Sequence, residues 1–350
     1  MSTPTIPAGN LFMNATTYTG NGGTNVITNG ATGASFQPDF VWLKGRNVAY
    51  DHFLADSVRG ISNELSSDTT SAESTYSNKL TSLNSNGFTL GSNNTGATIN
   101  SSGNTFVGWQ WKAGGTAVSN TSGTITSQVS ANTTSGFSVV TWTGNGTNLA
   151  GVTIGHGLGV APSMIIFRSR SSVSQWWVGH VGLGNMTTNF IQLNNTSAAS
   201  STANIWNSTA PTSTVFSTQN GYVGSTLTDT YVAYCWAPIA GYSAFGSYTG
   251  NGSTDGPFIY TGFRSRYIFV KRTDSTGGSW HTIDTSRSPY NQVGVALYLD
   301  LSAAESADFN SDILSNGLKI RNSQGEINAS GGTYIYAAFA ENPFKYANAR

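Results

Sequence analysis

Two short stretches bring an acid and a base within three residues of each other: Asp56-Ser-Val-Arg59 and Asp284-Thr-Ser-Arg287. At that spacing a guanidinium can turn back onto the carboxylate, so both are read as loop-pinning ion pairs. Acid–base catalysis would need a further titratable group beside them, and no sequence neighbour stands out. The histidines are His52, His156, His180 and His281. His52, His180 and His281 each follow an apolar strand, and are expected to serve folding or a binding site repeated three times. Trp176, Trp177 and Trp280 stand near predicted loops, where indole rings could stack on sugars, and are candidate glycan or host contacts. Adjacent strand residues face opposite sides, so one of Trp176 and Trp177 is expected to be partly exposed.

Other motifs point to less. Gly155-His-Gly-Leu-Gly159 has no Lys-Ser/Thr of a phosphate loop and no helical pattern after it. Gly250–Phe258 holds one acid, too few for a calcium loop. No Cys/His cluster has zinc spacing, and Cys235 is alone, a small buried hydrophobe on a strand. With this much serine a Ser-His-Asp triad stays open, but no GxSxG elbow occurs. No metal and no cofactor are expected.

The elements that must position these residues come in a repeated order. The aromatic-Thr-Gly-Asn-Gly turn occurs at Tyr18–Gly22, Trp142–Gly146 and Tyr248–Gly252. An apolar run ending in a base follows each time: "DFVWLK" to Lys44, "SMIIFR" to Arg168 and "RYIFVK" to Lys271. Then come an Asn-Gly ("SNGFTL", "QNGYVG", "SNGLKI") and an aromatic strand ("FVGWQWKAGG", "YVAYCWAPIAG", "YIYAAFAENPF"). The period of roughly 100 to 125 residues is that of a small domain and not of a solenoid. Alternating strands and Asn-Gly hairpin signals imply β-sandwich or jelly-roll units.

The expected organisation is therefore all-β, with three tandem sandwich units. Unit one covers 1–115, an extended linker 116–135, unit two 136–241 and unit three 242–350. With almost no linker between them, units two and three are expected to pack more tightly than units one and two. Short helices are expected in units one and three, at Thr70–Leu83 and Ser302–Ser315. Each starts with Ser or Thr and has Glu three residues on (Glu73, Glu305), a capping-box spacing. Unit two has Pro211 and no such cap in Ser197–Ser213, and is the unit expected to carry a specialised contact. Aromatics run almost to Arg350, so the C-terminus is expected to dock.

Composition narrows the partners. Acidic and basic residues balance at 16 each, and charged residues make up 9%. Nucleic acid needs a surplus of bases and is not expected as a partner. A surface this short of charge suits a chain held in an assembly. No apolar run reaches the length of a membrane span, so no membrane insertion is expected. "MSTPTIPAGNLF" has neither the basic nor the apolar region of a signal peptide, and folding in a cytoplasm is expected.

"FVWLKGR", "DSVRG", "NGFTLG", "FVGWQWKAGG", "GSYTGNGSTDGPFIYTGF" and "YIYAAFAENPFKYANAR" together resemble a repeat domain of structural proteins in tailed phages, especially marine and cyanobacterial ones. The resemblance spans nearly the whole chain and is strongest in units one and three. It implies a non-enzymatic virion surface protein and brings no catalytic residues. The expected role is a tail fibre or adhesin that meets the host surface and its polysaccharide. It would act beside other virion proteins as a homo-oligomer, a trimer foremost. The alternative is a capsid decoration protein (head fibre) that stabilises the shell. A glycan depolymerase is a remote third, and it predicts paired carboxylates in a groove.

Overall fold

The structure is a computed structural model and describes residues 11–30, 35–92, 98–146, 151–219 and 226–342. The expected docking of the last residues, and the Asn-Gly of unit two, lie outside the described residues. One strand order occurs three times, antiparallel throughout. In unit one it is Met13–Thr19, Thr105–Trp111, Phe40–Gly45, Phe53–Asp56. In unit two it is Phe137–Thr143, Thr230–Trp236, Met164–Ser169, Trp177–His180. In unit three it is Ser243–Thr249, Thr333–Ala340, Ser265–Arg272, His281–Asp284. A smaller outer sheet covers each: Asn25–Thr28 with Gly87–Leu90 and Leu80–Asn84, Val152–Gly155 with Val215–Thr218, and Phe258–Tyr260 with Gly317–Ile320 and Ser311–Leu314.

The apolar runs read as they do because these strands are buried on both faces. Along Phe40–Gly45, Val41 and Leu43 turn outward onto Ile27, Leu80, Phe88 and Leu90. Phe40 and Trp42 turn inward, into a core shared with Met164, Ile166, Tyr267 and Phe269. That inner core takes residues from all three units. At its centre Phe40 stacks on Tyr234 at 4.2 Å between ring centres, and Trp111 meets Trp236, Tyr267 and Phe339 edge-on. The units are therefore not three beads on a string. Each buries its inner sheet against the other two.

The repeated turn has a structural cause. Its aromatic stacks on the last strand of its own unit, Tyr18 on Phe106, Trp142 on Tyr231 and Tyr248 on Tyr334. Its last glycine has φ of 70° at Gly22, 69° at Gly146 and 69° at Gly252, a backbone that side chains resist. In units one and three a buried asparagine holds the turn. Asn100 Oδ1 accepts from the Asn21 amide and Asn328 Oδ1 from the Asn251 amide.

Two expectations need correction. Thr70–Leu83 and Ser302–Ser315 are not helical. The first contains the short strand Ser74–Thr75 and starts Leu80–Asn84, and the second leads into Ser311–Leu314. The glutamates that looked like caps are drawn away to arginines of another unit, as described below. Helices occur instead as single turns at Ala203–Trp206 and Gly325–Asn328. The linker 116–135 does not bridge two units as one strand. Val118–Asn120 and Ser127–Asn132 pair as a hairpin and extend the sheet of unit two, satisfying backbone groups that an isolated strand would leave open.

Candidate functional site

The register fixes which residues correspond. Phe40, Met164 and Tyr267 lie opposite Asp56, His180 and Asp284. Trp42, Ile166 and Phe269 lie opposite Trp109, Tyr234 and Ala337. These sets meet across the seams in one rotational sense: unit two docks on one, one on three, and three on two.

The Asp-Arg pairs sit on two of these seams. Arg59 Nε lies 2.5 Å from Asp56 Oδ2, with both side chains fully buried. The Tyr234 hydroxyl of unit two donates to the same oxygen at 2.8 Å. Arg59 also meets Glu73 at 2.7 Å, and Glu73 takes Arg170 of unit two at 2.6 Å. Burial works against the Arg59 charge, but Asp56, Tyr234 and Glu73 outweigh it and raise its pKa. On the one–three seam Arg287 Nε lies 2.6 Å from Asp284, which accepts from Trp109 Nε1 of unit one at 3.0 Å. Glu305 then joins Arg287 at 3.3 Å to Arg46 of unit one at 2.7 Å. The loop-pinning residues thus also join units.

On the two–three seam every member of this set is replaced. His180 stands for the aspartate, Leu183 for the arginine, Ala199 for the glutamate and Thr273 for the second arginine. Ala337 offers no side-chain donor, so a carboxylate at position 180 would lack its partner. His180 accepts from the Gly182 amide through Nδ1 and so donates through Nε2 to the Tyr336 carbonyl at 3.1 Å. The backbone contact common to all three seams survives. Glu73, Glu305 and Ala199 amides donate to the carbonyls of Arg170, Arg46 and Thr273 at 2.7, 2.8 and 2.8 Å.

The buried bases complete the joints. Lys44 Nζ donates to the Ser302 carbonyl, the Arg168 guanidinium to the carbonyls of Thr69, Thr70 and Ser71, and Lys271 Nζ to that of Ser197. Burial lowers Lys44 and Lys271 to about 8 and Arg168 to about 10. By register Trp176 and Trp280 correspond to each other and to His52. Trp176 Nε1 donates to the Ser66 carbonyl at 2.7 Å and Trp280 Nε1 to that of Gln192 at 2.9 Å. His52 accepts from Trp42 and so donates through Nε2 to Tyr298 at 2.8 Å. Burial and then Lys44 push its pKa down to about 3.

Trp176 and Trp280 are wholly buried, and so are not glycan contacts. Each indole N–H finds its partner in the next unit's backbone. Trp177 is the partly exposed member of its pair and packs edge-on against Phe190 at 5.2 Å. The histidines are not equivalent either. His52 matches the tryptophans, His281 matches Phe53 and Trp177, and His180 matches the aspartates.

Where the charged set is missing, the seam opens. A cleft of about 360 Å³ lies between Leu183 and Ala199 of unit two and Ser247, Thr249, Thr273 and Thr333 of unit three. A second of about 360 Å³ lies beyond the segment 197–200, against Phe190, Gln192, Ser200 and Thr276, and it enlarges a hollow of about 230 Å³ that stands at the corresponding place in unit one, along Ser71, Ala72 and Ser74. Neither is lined by an acid or a base. Hydroxyls, an amide, the Tyr248 ring in the first cleft and the Phe190 ring in the second are the chemistry on offer. A pair of carboxylates exists in unit one, Asp51 against Asp68, beside Glu64. Burial first, then Asp68, raises the Asp51 pKa. The two carboxyls bond to each other and not to a sugar held between them, unlike the spaced pair of a glycosidase.

The sequence reading missed the seam role of Glu73 and Glu305. A signal was present: a second base follows the buried one at Arg46 and Arg170, and Thr273 stands in its place where Ala199 replaces glutamate.

Fold and site define an all-β chain of three interlocked sandwich units, with an ion-pair bridge on two seams and, among the described residues, none on the third. Residues 8–343 match a domain of unknown function (DUF7483), and the chain belongs to that family. No curated protein and no solved structure matches it.

Proposed function

We propose that the chain is a non-enzymatic virion surface protein of a tailed phage, a tail fibre or adhesin that contacts the host surface. The observation that carries this reading is the use of the buried charge. The Asp-Arg pairs, their glutamates and the buried bases are committed to holding units together. Such a chain is a stiff block, suited to presenting loops and clefts. Several copies beside other virion proteins, a trimer in the simplest case, turn weak contacts with surface polysaccharide into avidity. Immunogold labelling of intact and disrupted virions tests this. Gold at the tail is the expected result, and an unlabelled particle would overturn it.

One feature favours a second reading, a capsid decoration protein. Three corresponding units in rotational order give a single chain the symmetry of a three-fold position on a shell. Gold spread over the head would select that reading.

A further inference from the structure

We infer that the unbridged seam between units two and three is a binding site for a neutral saccharide. The inference rests on the surface-contact reading for where the ligand is met, but not for its chemistry.

Three seams share one backbone contact, and two of them are filled by an arginine–glutamate–arginine bridge. On the third, Leu183, Ala199 and Thr273 occupy the three corresponding places, and all three line the open cleft. Truncating a bridge without refilling it leaves surface that a plain joint between units would not need. Each cleft lies within the range of small-ligand sites, toward its lower end.

The lining selects the ligand. Hydroxyl groups donate and accept at once, and so match sugar hydroxyls. Phe190, held edge-on by Trp177, offers the apolar ring against which a sugar face packs. An anionic ligand would want a free cation. Lys271, the nearest buried base of unit three, already donates to the Ser197 and Arg272 carbonyls.

The test is titration of the full chain with neutral tri- to hexasaccharides built from glucose, galactose, mannose or N-acetylglucosamine, followed by calorimetry and saturation-transfer NMR. Binding in roughly the millimolar range is expected for at least one of them. Phe190→Ala should weaken it by about tenfold. Thr249→Ala, an exposed change, should weaken it by a few fold without altering the fold. The decisive variant carries Ala199→Glu and Thr273→Arg together, which supplies the glutamate–arginine half of the bridge found on the other seams. It should abolish binding and leave the melting temperature equal or higher. No binding by any neutral member, binding only by anionic saccharides, or binding that survives the refilled seam would each overturn the inference. Gold at the tail with no saccharide binding defeats this site alone. Saccharide binding with an unlabelled particle defeats the virion reading alone.

Discussion

Asp56 accepts from the Arg59 guanidinium, the Tyr234 hydroxyl and the Val58 and Arg59 amides, all within a buried joint. Removing the carboxylate strands the arginine, so Asp56→Ala should cost about 3–5 kcal/mol in urea denaturation. Tyr234→Phe removes the hydrogen bond donated to Asp56 and the one accepted from Arg59, and should cost about 1.5–3 kcal/mol. Were Tyr234→Phe as costly as Asp56→Ala, the joint would depend on the ring's packing and not on its hydroxyl. His52 carries a pH dependence. Its folded pKa near 3 lies below an ordinary value of 6.5, so the unfolded chain takes up the proton first. The stability it contributes is full above pH 6.5 and is lost as pH falls toward 3. Against His52→Gln, the wild type's margin should shrink by about 1.4 kcal/mol for each pH unit below 6.5. A margin constant from pH 7 to 5 would contradict the buried neutral imidazole.

At the scale of elements, Ser/Thr with Glu three residues on is a sound helix signal, and here it misleads. Glu73 and Glu305 complete seams, and their backbone amides bond to Arg170 and Arg46. Glu73→Gln should therefore leave far-UV dichroism unchanged while lowering stability. A double-mutant cycle with Arg170→Gln should give a coupling of about 1 kcal/mol, larger than for a fully exposed pair because both groups are mostly buried. A coupling near zero would remove the bridge from the account. The strands were legible because their patterns are local. Phe40–Leu43, Met164–Phe167 and Tyr267–Val270 are apolar throughout, each followed by a base, and the aromatic-Thr-Gly-Asn-Gly turn needs positive φ at its last glycine. The seams were not legible, because the partners of Trp176, Trp280 and Glu305 lie 110, 88 and 259 residues away. Trp176 and Trp280 looked like ligand contacts for that reason. Without the neighbouring unit, an indole beside a loop has no visible partner.

For the whole molecule, closure is the governing feature. Unit one bonds to unit three through Lys44 and the Ser302 carbonyl, 258 residues apart, and through Ser67 and the Leu299 carbonyl. The units then share an inner core containing Trp42, Trp111, Trp236, Tyr267 and Phe339. A ring held this way gains more from its last joint than from its first, because the final docking costs no further freedom of the chain ends. It should unfold as one body, and fold slowly for an all-β chain with so many distant contacts. Uncharged clefts on one seam are then affordable, since the other two carry the charged joints.

Native-state hydrogen exchange across a urea series, read separately for Phe40–Gly45, Met164–Ser169 and Ser265–Arg272, tests this closure most directly. These are the central strands of the three inner sheets. The account predicts that all three merge into one opening with the same free energy and the same urea dependence. Three separate openings, each with its own midpoint, would mean independent domains and would contradict the ring.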